Sequence, residues 1–124
     1  MSQGISRDTV LECRKRLLQI KEELLNRFRN VHFEFKQTEK GTGDEVDQAV
    51  ASVSENQFLV NQDRLRRQLM EVEMALGRIE MGEFGICEET LEPIEAERLL
   101  ALPYTRLSIE GAEIREALNR RFAR

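Results

Sequence analysis

The sequence predicts a mainly all-α protein: a long antiparallel two-helix coiled coil with a small globular base and a C-terminal helix. Three observations lead there. Two long segments place apolar residues at steps of three and four, the spacing of a helical seam. A short polar stretch with two glycines joins them. Aromatic residues make up only 6% while 34% of residues are charged, which suits solvated helices better than a thick core.

The first helix is expected from about Ser6 to Lys36. Val10, Cys13, Leu17, Ile20 and Leu24 form its seam, which shifts by one residue at Phe28, Val31 and Phe35. Ser6 suits the N-cap, and Asp8 lies in the first turn, where a carboxylate opposes the positive helix end. The stretch Gln37 to Gly43, QTEKGTG, reads as the connecting loop.

The second helix is expected to start at Asp44 as N-cap, with Asp47 reaching back from the third helical position. Val46, Val50 and Val53 open an apolar face that continues through Leu65, Leu69, Val72, Leu76 and Ile79 and stops at Gly82. Two helices of similar length, joined by a few residues, bury their stripes against each other as an antiparallel hairpin. Residues 1–83 are therefore expected to form the hairpin, with its tip at 37–49, and residues 84–124 the lobe and last helix.

Within that lobe, a turn surrounds Cys87 and a short helix is expected from Pro93 to Ala101. Pro93 suits a first helical turn and Pro103 prevents continuation. The last helix is expected from about Ser108.

Composition excludes several functions. The net charge of −4, from 23 acids against 19 bases, argues against direct DNA binding, which needs a basic face to displace counterions. No run reaches the 18 or so apolar residues of a membrane span, and the N-terminus has no apolar signal core. A cytoplasmic monomer without membrane contact is the expectation. Cys13 and Cys87 lie in unlike contexts and suggest no disulfide framework.

Two features carry candidate chemistry. Asp44, Glu45 and Asp47 cluster at the tip, where acids favour a helix start by about 0.3–1 kcal/mol each. Ordinary capping accounts for them; so does a rod of roughly 45 Å that carries carboxylates and the small Ala49 into a deep, charged cleft. The seam does not choose between these. The second feature is FGICEETLEP, Phe84 to Pro93, which has the look of a metal knuckle, yet Thr90 stands where a second thiolate is needed three residues after Cys87. A buried small apolar residue is the simple reading of Cys87. His32 has no Cys or Asp constellation around it and reads as a partly exposed helix residue, not a base. Nothing in the sequence points to an enzyme.

At these two ends the sequence resembles the DksA/TraR family of transcription regulators, over about Leu17 to Phe122. The tip DEVDQA fits the family's D-x-x-D-x-A pattern through Asp44, Asp47 and Ala49. The base GICEETLEPIEAERLLALPYTRLSIEG follows its C4 finger frame, with Gly85, Cys87, Ile94, Arg98, Leu99, Ala101 and Pro103 at the expected places. The four ligand positions fall at Cys87, Thr90, Ser108 and Gly111, so three thiolates are missing and the chain resembles the zinc-independent paralogues within the family. No metal is expected. Structural zinc can supply on the order of 10 kcal/mol in finger peptides, so apolar packing by Ile86, Leu91, Ile94, Leu99, Leu102, Leu107, Ile109 and Ile114 is the expected substitute.

The resemblance implies direct binding to RNA polymerase, with the hairpin in the secondary channel and Asp44, Asp47 and Ala49 near the active centre. It implies modulation of promoter complexes in the stringent, nutritional stress response. Arg64 would be a polymerase contact. Guanosine tetraphosphate is the small molecule it brings into view at the polymerase interface, although the family's basic positions there fall near Glu71, Leu102 and Ala112, none of them basic. Two alternatives stay open from the residues: a transcript-cleavage cofactor, whose acidic tip would help hold magnesium, and a coiled-coil adaptor unrelated to polymerase.

Overall fold

The computed structural model describes residues 5–41 and 48–122, and for residues 38–41 and 48–51 the backbone alone. The described residues hold four helices, α1 (Arg7–Gly41), α2 (Gln48–Glu80), α3 (Ala96–Ala101) and α4 (Ile109–Phe122). They contain no strand, only one isolated antiparallel bridge between Ile86 and Pro93. The mainly all-α class and the two-helix coiled coil are as the periodicity predicts. The chain divides into two compact units, one of Ile20–Met70 and one of Met1–Gln19 with Glu71–Arg124.

The start of α1 follows its sequence signal. Ser6 Oγ accepts the Thr9 N–H at 3.1 Å, so the N-cap serine satisfies one of the amides that a helix start leaves unpaired. The other end differs from expectation. Helix α1 continues through Gln37–Gly41, a stretch read as loop, because Gln, Glu and Lys are good helix formers and Gly41 comes only at the last position.

Inside Ile20–Met70 the two helices run antiparallel. Arg66 lies over the Phe28 ring at 6.0 Å, and Phe35 stacks on Phe58 at 4.1 Å, so partners descend α2 as they climb α1. Leu24, Leu65 and Gln62 are buried there. Gln62 occupies a seam position, and its Oε1 has no hydrogen-bond partner. Of Val46, Val50 and Val53, expected to open the apolar face of α2, Val53 is exposed, and for Val50 only the backbone is described. Val46 lies outside the described residues. Phe58, not Val53, fills the seam on this stretch.

The second unit has the denser core. Cys13 and Leu17 of α1 and Val72 and Ala75 of α2 are buried, with Phe84, Ile94, Leu99 and Pro103 of the lobe. Helix α2 ends in a Schellman motif: Gly82 N–H reaches Ile79 O at 3.2 Å and Glu83 N–H reaches Arg78 O at 2.9 Å. Gly82 has φ of +74°, a left-handed conformation that a side chain would strain.

Helix α3 starts at Ala96, later than the Pro93 expected. Pro93 instead pairs with Ile86, and Ile94 N–H donates to Gly85 O at 2.7 Å. This backbone pairing closes the turn around Cys87 and leaves too few residues for a longer helix. Among the eight apolar residues expected to replace a metal, Ile94 and Leu99 are buried, while Leu91, Ile109 and Ile114 are exposed. Leu91 cannot turn inward because it sits at φ of +62°, at the corner of the tight turn.

Candidate functional site

The knuckle is built from the backbone outward. Cys87 N–H donates to Glu92 O at 2.8 Å and Leu91 N–H to Cys87 O at 2.9 Å, while Glu88 N–H reaches Arg106 O at 2.9 Å. These bonds hold Cys87 at the centre of the turn with no exposed surface. Around its sulfur, the Ser108 hydroxyl donates at 3.4 Å and the Thr90 N–H at 3.5 Å. Gly111 N–H then donates to Ser108 Oγ at 3.0 Å. Ser108 thus caps α4 and touches Cys87 with one oxygen.

All four residues at the positions expected for metal ligands converge, but they do not form a metal centre. Zinc needs thiolate, imidazole or carboxylate donors held apart around the ion. Here one thiol, two hydroxyl side chains and a glycine remain. A Cβ on Gly111 would fall well inside van der Waals distance of Cys87 Sγ, so the sulfur occupies room that a ligand at 111 would need. Among the described residues no group of three or more His, Cys, Asp or Glu could hold a metal ion. The residues present do not fit zinc.

The two cysteines have opposite electrostatics. Burial pushes the Cys13 thiol up, and its Sγ donates to Leu99 O at 3.5 Å. Burial opposes ionisation at Cys87 as well, but hydrogen bonds from Ser108 and Thr90 outweigh it and bring the thiol down to about 6. Donors that favour the anion explain the sign.

Charged side chains tie the outside of the knuckle. Arg106 grips Glu71 with Nη2 at 2.6 Å and Nε at 3.2 Å, and approaches Glu88 at 4.0 Å. Arg115 of α4 reaches Glu88 at 3.6 Å and Glu89 at 3.6 Å. Arg98 Nε donates to Leu107 O at 2.7 Å, and both Glu95 oxygens accept the Ile109 N–H at 3.3 and 3.2 Å. Sequence reasoning missed Arg106, Arg115, Glu88 and Glu95. Their partners lie 14 to 35 residues away in the chain or sit in an aperiodic turn, where no repeat betrays them; only the N-terminal position of Glu95 relative to α3 offered a weak capping signal.

The tip residues Asp44 and Asp47 lie outside the described residues. Ala49 falls in the first turn of α2. Arg64 is exposed on α2 and lines a cleft of about 320 Å³ with Asn61 and Gln68 of the same helix and Arg27, Asn30 and Glu34 of α1. His32 is exposed and lies 5.9 Å from the Phe58 ring, as befits a helix residue without a catalytic setting. No described helix is long and apolar enough to cross a membrane.

A helical hairpin together with a four-position knuckle of the C4 type defines a class of coiled-coil proteins with a finger-derived lobe. The particular family follows from comparison. Residues 82–117 match the prokaryotic dksA/traR C4-type zinc finger. The chain is 34% identical over 107 residues to the RNA polymerase-binding transcription factor DksA of Caulobacter vibrioides, covering 86% of this chain and 75% of that protein. The structure of transcription factor DksA2 from Pseudomonas aeruginosa superposes with a TM-score of 0.85 at 30% identity, over 97% of this chain and 92% of that one. The fold is also that of the RNA polymerase binding protein and transcriptional regulator Dks from Chlamydia trachomatis, with a TM-score of 0.52 at 20% identity. The chain belongs to the DksA/TraR family.

Proposed function

We propose that this chain is a transcription regulator, not an enzyme, that binds RNA polymerase directly and folds without structural zinc. The observation that carries the reading is its likeness, across 86% of its length, to a relative named as an RNA polymerase-binding transcription factor. The mismatch between zinc and the set Cys87, Thr90, Ser108 and Gly111 supports the second part. In this reading the protein acts in the cytoplasm as a monomer, makes no DNA contacts of its own, and enters the polymerase through the secondary channel.

The tip residues Asp44, Asp47 and Ala49 would then meet the mobile elements of the polymerase active centre, and Arg64 would contact the channel entrance. Regulation is a shift in population: the factor alters promoter complexes only as far as it binds one polymerase state more tightly than another. The stress to which it answers is the nutritional, stringent one. Guanosine tetraphosphate wants Arg or Lys. At the three positions where the family contributes basic groups, this chain offers Glu71, already paired with Arg106, and the apolar Leu102 and Ala112. These positions therefore give the alarmone little direct help.

The test is transcription from a ribosomal promoter together with polymerase capture, using Asp44→Asn and Asp47→Asn. Loss of promoter inhibition with polymerase binding retained is the expected result. Unchanged inhibition by both variants would remove the tip from the mechanism, and absence of polymerase binding by the parent chain would remove the proposal.

A further inference from the structure

Arg106 stands at the meeting point of four segments. Its own loop follows α3; Glu71 belongs to α2; Glu88 belongs to the knuckle; and Glu88 is shared with Arg115 of α4. A zinc ion in a finger joins the turn of the knuckle to the start of the following helix, which is the same mechanical task that Glu88, Glu89 and Arg115 perform here from outside. The contact to Glu71 adds α2, which finger ligands do not reach. Arg106 is more enclosed than Arg115, its side chain 28% exposed against 40%.

We propose that Arg106 is the hub of an ionic clasp that takes over the outer cross-link of the knuckle and makes the closure of this lobe sensitive to ionic strength. The inner side of the lobe is held by groups that salt barely touches: buried Phe84, Ile94 and Leu99 and the backbone bonds of Cys87 and Ile94. The outer side has charged pairs open to solvent, whose attraction fades as the screening length shortens from about 8 Å at physiological salt to about 3 Å at 1 M. A metal–thiolate bond has no such dependence.

Arg78 lies close enough to Arg106 for their charges to oppose each other, and burial together with Arg106 lowers the Arg78 pKa. Arg78 has the Tyr104 carbonyl at 3.5 Å, and the charges of Glu88 and Glu71 partly offset the lowering. Weakening the pairs therefore frees the seam between the knuckle and the Arg106 loop to part while α1, α2 and the inner core stay folded.

Hydrogen exchange on the full chain, read by mass spectrometry at low and high sodium chloride, tests it. Between ~0.05 M and ~0.5 M salt, peptides around Cys87 and Arg106 in the parent chain are expected to open about threefold to fivefold more often, a change equivalent to weakening a partly exposed pair. Peptides from the middle of α1 serve as the internal control. Arg106→Gln should open faster at low salt and lose most of the dependence, whereas Arg106→Lys, which keeps the charge, should retain it. A parent chain whose knuckle exchange ignores salt, or an Arg106→Gln chain as salt-sensitive as the parent, would overturn the clasp. Because the Glu88 N–H bond runs to the Arg106 backbone carbonyl, both variants keep the turn itself.

Discussion

The Ser108 hydroxyl donates to Cys87 Sγ at 3.4 Å and accepts the Gly111 N–H at 3.0 Å. One oxygen therefore couples the centre of the knuckle to the first turn of α4. Ser108→Ala removes an N-cap and a thiol partner together, and a loss of about 0.5–2 kcal/mol is expected for the cap. Urea unfolding with an unchanged slope checks it. A variant as stable as the parent would mean that the hydroxyl is incidental.

Titration of Cys87 should appear in the stability of the protein. Its ordinary pKa is 9.0, and in the fold it lies near 6. Between these values the unfolded chain holds the proton more tightly, so stability rises with pH through the window from about 6 to about 9. This contribution is complete above 9 and is lost as pH falls through 6. Thermal midpoints across that range, compared with Cys87→Ala, check the sign, because the variant should lose that part of the slope. Thiolate absorbance that appears only near pH 9 would contradict the hydrogen-bonding account.

Gly111 is a steric requirement of the sulfur beside it. Gly111→Ala should destabilise the lobe by about 1–3 kcal/mol, the range for forced overpacking. The double variant Gly111→Ala with Cys87→Ala should recover part of the loss, since the atom that clashes is gone. A double-mutant cycle measures that coupling directly, and strict additivity would place the cost elsewhere.

Among the described residues, the seam of the hairpin contains a clear defect. Gln62 is 7% exposed and leaves Oε1 unpaired, which costs about 1–3 kcal/mol for a buried polar group. Gln62→Leu should therefore raise the unfolding free energy by an amount on the order of 1 kcal/mol, read as a higher denaturation midpoint at unchanged slope. A lower midpoint would show that the amide has a partner in solution.

Much of the fold was legible because it repeats. Cys13, Leu17 and Leu24 announce the inner stripe of α1 by spacing alone, and Ser6 and Gly82 mark helix ends through local chemistry that acts within four residues. The knuckle was legible as a frame, through Gly85, Cys87 and Pro103, but its filling was not. Leu91 looks like core material until the turn forces a positive φ upon it, and Phe84 looks like the edge of a loop until the turn folds it inward. Arg106 and Glu71 are 35 residues apart, and only the completed fold makes them neighbours. The end of α1 was misread because QTEK is polar like a loop yet helix-compatible. Of the candidate site, Arg64 and the four knuckle positions are described, whereas Asp44 and Asp47 are not.

A DksA/TraR chain with this donor set is expected to fold and to regulate without a metal. The most direct measurement is transcription from a ribosomal promoter by purified RNA polymerase, with this protein freed of metal by a chelator and its helical signal followed in parallel. Reduced initiation with an undiminished helical signal is the predicted result. A collapse of helicity on chelation, or inhibition that returns only when zinc is supplied, would contradict it.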